Sequence, residues 1–208
     1  MMGKFWKKCG EFVRFLWEEH VREKHKIGVI HGRFQGLHNG HLEYLLEGKK
    51  RCERLIIGIT NYTGNTKDER ISRIDTHRLD STANPFTFFE RLEMIRAALL
   101  GEGICESEFS IVPFPIETPD LIFNFVPKDA VFFMTIYDDW GRDKFKTLSD
   151  LGVNVEVMWE RTPEQKPISG SLLRKTIAEG GNWENLVPSS VADYIKEHDL
   201  CGRIAYGK

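Results

Sequence analysis

The chain has 208 residues, 41% of them hydrophobic and 29% charged, with a formal net charge of -2. That length suffices for one well-buried domain with extensions, and the composition is that of a folded protein. The near-neutral charge argues against a broad nonspecific nucleic-acid surface, and no apolar run approaches the ~20 residues that cross a bilayer.

Residues 1–24 carry Phe5, Phe12, Phe15, Leu16 and Val21 at near-helical spacing, with Trp6 and Trp17 beside them. The pattern predicts an amphipathic N-terminal helix with a mixed-charge polar face, packed on the domain or at a subunit contact. It leaves a homo-oligomer open. An α/β core is expected over residues 25–165. Its first strand covers Lys26–Ile30, and a helix over Gly40–Lys50 turns Leu42, Leu45 and Leu46 inward. A buried parallel-type strand follows over Arg54–Thr60, completing a βαβ unit. Asn61–Pro85 is polar and reads as a long loop, a candidate lid.

A helix over Thr87–Leu100 and a strand over Phe109–Pro113 come next, then a stretch over Ile116–Asn124 that is irregular and enters a weak helix or turn. Further strands are expected over Ala130–Ile136 and Val153–Trp159, around a helix over Asp143–Leu151. Helices over Ser171–Glu179 and Ser189–Glu197 close the chain as a compact appendage within residues 166–208. Strands alternating with helices define the fold class as α/β, a doubly wound parallel sheet with C-terminal helices.

Cys9, Cys52, Cys105 and Cys201 form no C-x-x-C pair, and no His/Cys cluster has zinc spacing. Free thiols and an N-terminus unlike a secretion signal point to the cytoplasm, with neither a membrane nor a nucleic acid as partner.

Chemistry concentrates in two stretches. Gly32-Arg33-Phe34-Gln35-Gly36-Leu37-His38-Asn39-Gly40-His41 follows the carboxyl end of the first strand, where open α/β sheets bind ligands. Gly40 and His41 fall where a helix N-terminus offers unpaired N–H groups to an anion, and His38 and His41, three apart, can meet one phosphate. Ile168-Ser169-Gly170-Ser171-Leu172-Leu173-Arg174 places two hydroxyls at a helix start, with a guanidinium fork one turn on. The first stretch has neither the dinucleotide G-x-G-x-x-G fingerprint nor the lysine and Ser/Thr of a Walker loop.

Together these stretches resemble the HxGH nucleotidylyltransferase superfamily over nearly all of residues 26–197. Gly32-Arg33-Phe34-Gln35 with His38-Asn39-Gly40-His41 resembles the entrance of archaeal-type nicotinamide-mononucleotide (NMN) adenylyltransferases. Asn84-Pro85-Phe86-Thr87 with Glu90-Arg91, the Ser169–Arg174 stretch, and Trp183 to Pro188 resemble further segments of that group. Gly36 stands where the group has proline, which predicts a looser entrance loop. Tyr137-Asp138-Asp139-Trp140 through Lys144-Phe145 resembles instead an element of glycerol-phosphate and related cytidylyltransferases.

The resemblance implies a Rossmann-like nucleotidylyltransferase fold and adenylyl transfer from ATP to NMN, giving NAD and pyrophosphate. The alternatives are cytidylyl transfer from CTP to a small phosphorylated or phosphonate acceptor, or nucleotide binding without catalysis. Catalytic roles fall to His38, His41 and Arg174. Gly32, Arg33, Phe34, Gln35, Gly40, Arg91, Ser169 and Ser171 would line or support the nucleotide site. Asp138, in the nucleotide site, and Asp139 would assist the magnesium-bound triphosphate, or else form a solvated loop or helix cap; Trp140 would stack on a base or on nicotinamide, or else pack. Mg2+ is implied as the triphosphate's companion, without a dedicated metal cage among the protein's residues.

Overall fold

The computed structural model describes residues 23–63, 83–165 and 168–206. The expected N-terminal helix falls almost wholly outside them, as does most of the expected lid. Five strands form one parallel sheet in the order β3-β2-β1-β4-β5. They are β1 (His25–Gly32), β2 (Cys52–Ile59), β3 (Phe109–Pro113), β4 (Val131–Ile136) and β5 (Asn154–Glu160). The helices are α1 (Asn39–Arg51), α2 (Phe88–Gly101), α3 (Asp139–Asp150), α4 (Gly170–Ala178), α5 (Ser189–Glu197) and α6 (Cys201–Tyr206).

The sheet grows from β1 toward β3, then reverses and grows from β4 toward β5. The reversal opens a crevice above β1 and β4, the place where this class of sheet takes its ligands.

Alternation along each strand splits the core in two. Ile30, Leu55, Ile57 and Phe133 face one side and meet Leu45 of α1 and Met94, Ile95 and Leu99 of α2. Val29, Ile56, Phe132 and Met134 face the other and meet Phe114, Ile122 and Leu148 of α3. Leu173, Ile177, Val191 and Ile195 belong to the first cluster, so α4 and α5 are built into the main core rather than appended to it. Trp183 is buried in that cluster, a packing residue.

Helix α3 starts four residues earlier than the sequence pattern predicts. Asp138 accepts a hydrogen bond from the amide of Gly141 at 2.8 Å, so the acidic residue caps the helix and carries Trp140 inside it. Ile116–Asn124, expected to pass from irregular chain into a weak helix or turn, ends in a 3-10 helix over Pro119–Asn124.

Candidate active site

The loop between β1 and α1 is bent by two residues in the left-handed region, Phe34 at φ 50° and Gly36 at φ 81°. A proline, held near -65°, cannot occupy position 36 in this path. A Cβ there would also come within 2.8 Å of Leu173 in α4. The expectation of a merely looser loop is thus corrected: Gly36 gives the loop a specific bend that seats it against α4. Phe34 tolerates its strained backbone because its buried ring packs beneath Gly32 and meets His41 edge-on, 5.1 Å between centroids.

His38 is the N-cap of α1. Its Nδ1 accepts the His41 amide at 3.2 Å, which leaves the ring proton of the neutral imidazole on Nε2. The two imidazoles stack with centroids 3.7 Å apart and planes 14° from parallel. The first turn of α1 holds no acidic residue, so its exposed N–H groups and two imidazoles offer a site for anions.

The second stretch closes on the first. Ser169 caps α4, accepting from the Leu172 amide at 3.1 Å. Arg174 donates through Nη1 to the Gln35 carbonyl at 3.2 Å and through Nη2 to Ser171 Oγ at 3.3 Å. A Cβ at position 170 would sit 3.1 Å from both Arg174 Nη1 and the Gln35 oxygen, so glycine lets loop and helix approach. Burial lowers the Arg174 pKa, but guanidinium remains the charged form at physiological pH.

Both stretches open into one cavity of about 320 Å³. Gly32, Arg33, Phe34, Gln35, Gly40, Asp138, Trp140, Ser169 and Ser171 line it together with His38, His41 and Arg174. The two imidazoles and the distant guanidinium therefore share one chamber. The Gln35 side chain is committed to scaffolding: its amide gives to the Phe86 carbonyl at 3.1 Å and takes from the Phe86 amide at 3.0 Å.

Arg91 is the predicted site residue that stays away from the cavity. It is 1% exposed, and its guanidinium donates to the carbonyls of Arg33, Thr60 and Asn61, each at 2.8 Å, while Nε gives to Thr87 at 3.2 Å. Of the two roles expected for it, nucleotide contact is corrected and support of the site remains: Arg91 is a pin joining the loops after β1 and β2 to α2. The surrounding motif has the same purpose. Thr87 and Glu90 form a capping box, and Glu90 pairs with Arg203 of α6 at 2.7 Å.

Sequence reasoning missed His31, Tyr44, Thr60, Glu117 and Lys144 on the cavity wall. Lys144 lies four residues beyond Trp140 in α3, a relation hidden while the helix is expected to begin at Asp143. His31 lies two residues beyond Val29, on the same face of β1. Asp138 and Glu117 are the carboxylates of the cavity lining among the described residues. No cluster of three or more His, Cys, Asp or Glu able to hold a metal occurs among those residues. This donor set suits Mg2+ bound chiefly through phosphate oxygens and water.

Burial, with the Lys144 charge nearby, lowers the His31 pKa from 6.5 to about 3. Below 6.5 the unfolded chain takes a proton that the folded one refuses until about 3. Stability is therefore intact above the higher value and lost as pH falls through that window, by up to about 1.4 kcal/mol per pH unit. Urea unfolding at several pH values should show a shallower acid dependence in His31→Val than in the parent chain. Equal slopes would contradict this assignment.

Residues 29–176 match the cytidylyltransferase-like family. The chain belongs to that family. This cytidylyltransferase-like protein is a nucleotidyltransferase, and its relatives narrow the reading further. The phosphonoformate cytidylyltransferase of Streptomyces viridochromogenes is 48% identical over 177 residues, covering 85% of this chain and 94% of that protein. The nicotinamide-nucleotide adenylyltransferase of Thermococcus onnurineus is 32% identical over 174 residues, covering 83% of each. The fold matches the bifunctional NMN adenylyltransferase/ADP ribose pyrophosphatase of Francisella tularensis, with TM-score 0.63 and 17% identity. The match covers 87% of this cytidylyltransferase-like chain and 52% of that one, about half of the bifunctional protein.

Proposed function

We propose that this enzyme transfers a cytidylyl group from CTP to phosphonoformate or a closely similar small phosphonate. The supporting observation is the 48% identity to a phosphonoformate cytidylyltransferase across 94% of that protein's length. NMN, the acceptor that the entrance motif first suggests, has the weaker support of 32% identity. The Asp138-Asp139-Trp140 element points the same way, because it opens α3 on the cavity wall.

The chemistry asks for positioning and charge stabilisation. A phosphonate oxygen bonds to the α-phosphorus of CTP as the bond to the bridging α–β oxygen breaks, and pyrophosphate leaves with that electron pair. The nucleophile is already an anion at neutral pH, so no protein base is required. His38, through Nε2–H, and His41 would steady charge on the transferred group, while Arg174 and Ser171 would hold the departing pyrophosphate. Asp138 and Glu117 would hold triphosphate-borne Mg2+ in part; bound there, the ion would neutralise phosphate charge.

Pyrophosphate release, measured with CTP or ATP against phosphonoformate or NMN, tests this reading. Turnover is expected with CTP and phosphonoformate. Turnover confined to ATP and NMN, or binding with no turnover in any pairing, would overturn it.

A further inference from the structure

The two nitrogens of His31 are both buried and neither has a hydrogen-bond partner among the described residues. The residue is 5% exposed, and its ring stacks on Phe114 with centroids 4.7 Å apart and planes 10° from parallel. A buried imidazole left without partners is costly, and strand ends ordinarily avoid it. His31 nonetheless lines the same cavity as the phosphate clamp.

Its place in that cavity follows from strand alternation. Val29 belongs to the cluster on the Phe114 and Met134 side of the sheet, and His31, two residues on, turns the same way. Phe34 and Leu37 of the entrance loop, and Leu173 of α4, belong to the cluster on the opposite side. The cavity lining thus draws on two halves of the core: the entrance loop and α4, which carry His38, His41, Ser171 and Arg174, belong to one, and His31, Ile116 and Met134 to the other, with the Lys144 charge near His31.

In-line transfer requires the attacking and leaving oxygens to lie on opposite sides of the α-phosphorus. With pyrophosphate departing toward Arg174, the acceptor enters from the half that contains His31. We infer that His31 is a specificity-determining residue, donating a ring N–H to an oxyanion of the acceptor, with Lys144 supplying the positive charge beside it. The inference rests on the proposed cytidylyl transfer to a small phosphonate. Phosphonoformate carries a carboxylate on its phosphonate phosphorus, and the carboxylate is the group left to recognise once a phosphonate oxygen is aimed at CTP. The depressed pKa of His31 keeps the imidazole neutral, so it selects by hydrogen bond while Lys144 selects by charge.

Steady-state kinetics of His31→Val, His31→Asn and His31→Gln test this assignment. Losing a hydrogen bond to a charged group should raise KM for phosphonoformate about 10- to 100-fold in the valine variant, with KM for CTP within about twofold. Either amide variant should recover part of that loss. Unchanged phosphonoformate KM, or CTP and phosphonoformate KM rising together, would overturn the inference.

If His31→Val does not fold, the ring nitrogens of His31 in the unaltered chain can be followed by 15N NMR during titration with phosphonoformate. Shifts at His31 support the contact, and a silent ring overturns it. Wild-type protein that releases no pyrophosphate from CTP with phosphonoformate removes the proposed function and this inference together. Wild-type turnover with indifferent His31 variants removes the inference alone.

Discussion

Arg174→Ala should lower kcat/KM for CTP by about 10²- to 10³-fold while the chain still folds, the loss expected when a preorganised donor to developing charge is removed. The guanidinium sits at the start of α4, tied to the Gln35 carbonyl and to Ser171 Oγ. Those ties aim the fork before any nucleotide arrives, so little reorganisation is left for the reaction itself. Both partners line the cavity, where water can replace the lost donors, which is why the fold should survive.

Arg174→Lys should restore only part of the rate. An ammonium is a point charge and cannot serve a carbonyl, a hydroxyl and a phosphate with one planar fork. Ser169→Ala and Ser171→Ala should each cost less, since the first mainly removes a helix cap and the second one hydroxyl. Pyrophosphate-release kinetics with circular dichroism as the fold control decide the matter. A folded Arg174→Ala protein within about threefold of the parent would refute the clamp.

The largest effect on stability should come from Arg91→Met, at about 3 kcal/mol, or roughly 6–12 °C in Tm. Methionine fills similar space but donates nothing, so the carbonyls of Arg33, Thr60, Asn61 and Thr87 lose their shared partner. Three of these groups, those of Arg33, Thr60 and Asn61, belong to the loops that shape the cavity, so activity should fall along with stability. Arg91→Lys should recover little, because three rotatable N–H bonds on one atom cannot span four carbonyls from separate segments. Thermal unfolding followed by circular dichroism provides the measurement. A Tm within about 2 °C of the parent would show that Arg91 is not the pin described.

Much of the layout was legible from residue order. The run Leu55-Ile56-Ile57 reads as a strand buried on both faces, and it is one, because helices cover both sides of the sheet. Ser189–Glu197 forms its predicted helix over the same residues. The boundary of α3 was less legible, because Asp138, Asp139 and Gly141 resemble a loop until the Asp138 cap is seen. Base and acceptor choice were legible only as competing motifs, with an entrance shared by adenylyltransferases and an Asp-Asp-Trp element shared with cytidylyltransferases.

Local pattern alone determined the alternation of strands and helices, the two anion-handling stretches and the kind of group each offers, since periodicity and helix-end chemistry depend on near neighbours in the chain. Tertiary structure decided which polar groups serve the ligand and which serve the scaffold. Arg91 and Arg174 are both arginines within motifs, yet one is consumed by four carbonyls and the other stands at the cavity. His31 gave little sign of importance until packing buried it, without hydrogen-bond partners among the described residues, at the crevice between β1 and β4. The physical reason is that hydrogen-bond satisfaction is settled by groups distant in sequence, and only the folded chain brings them together.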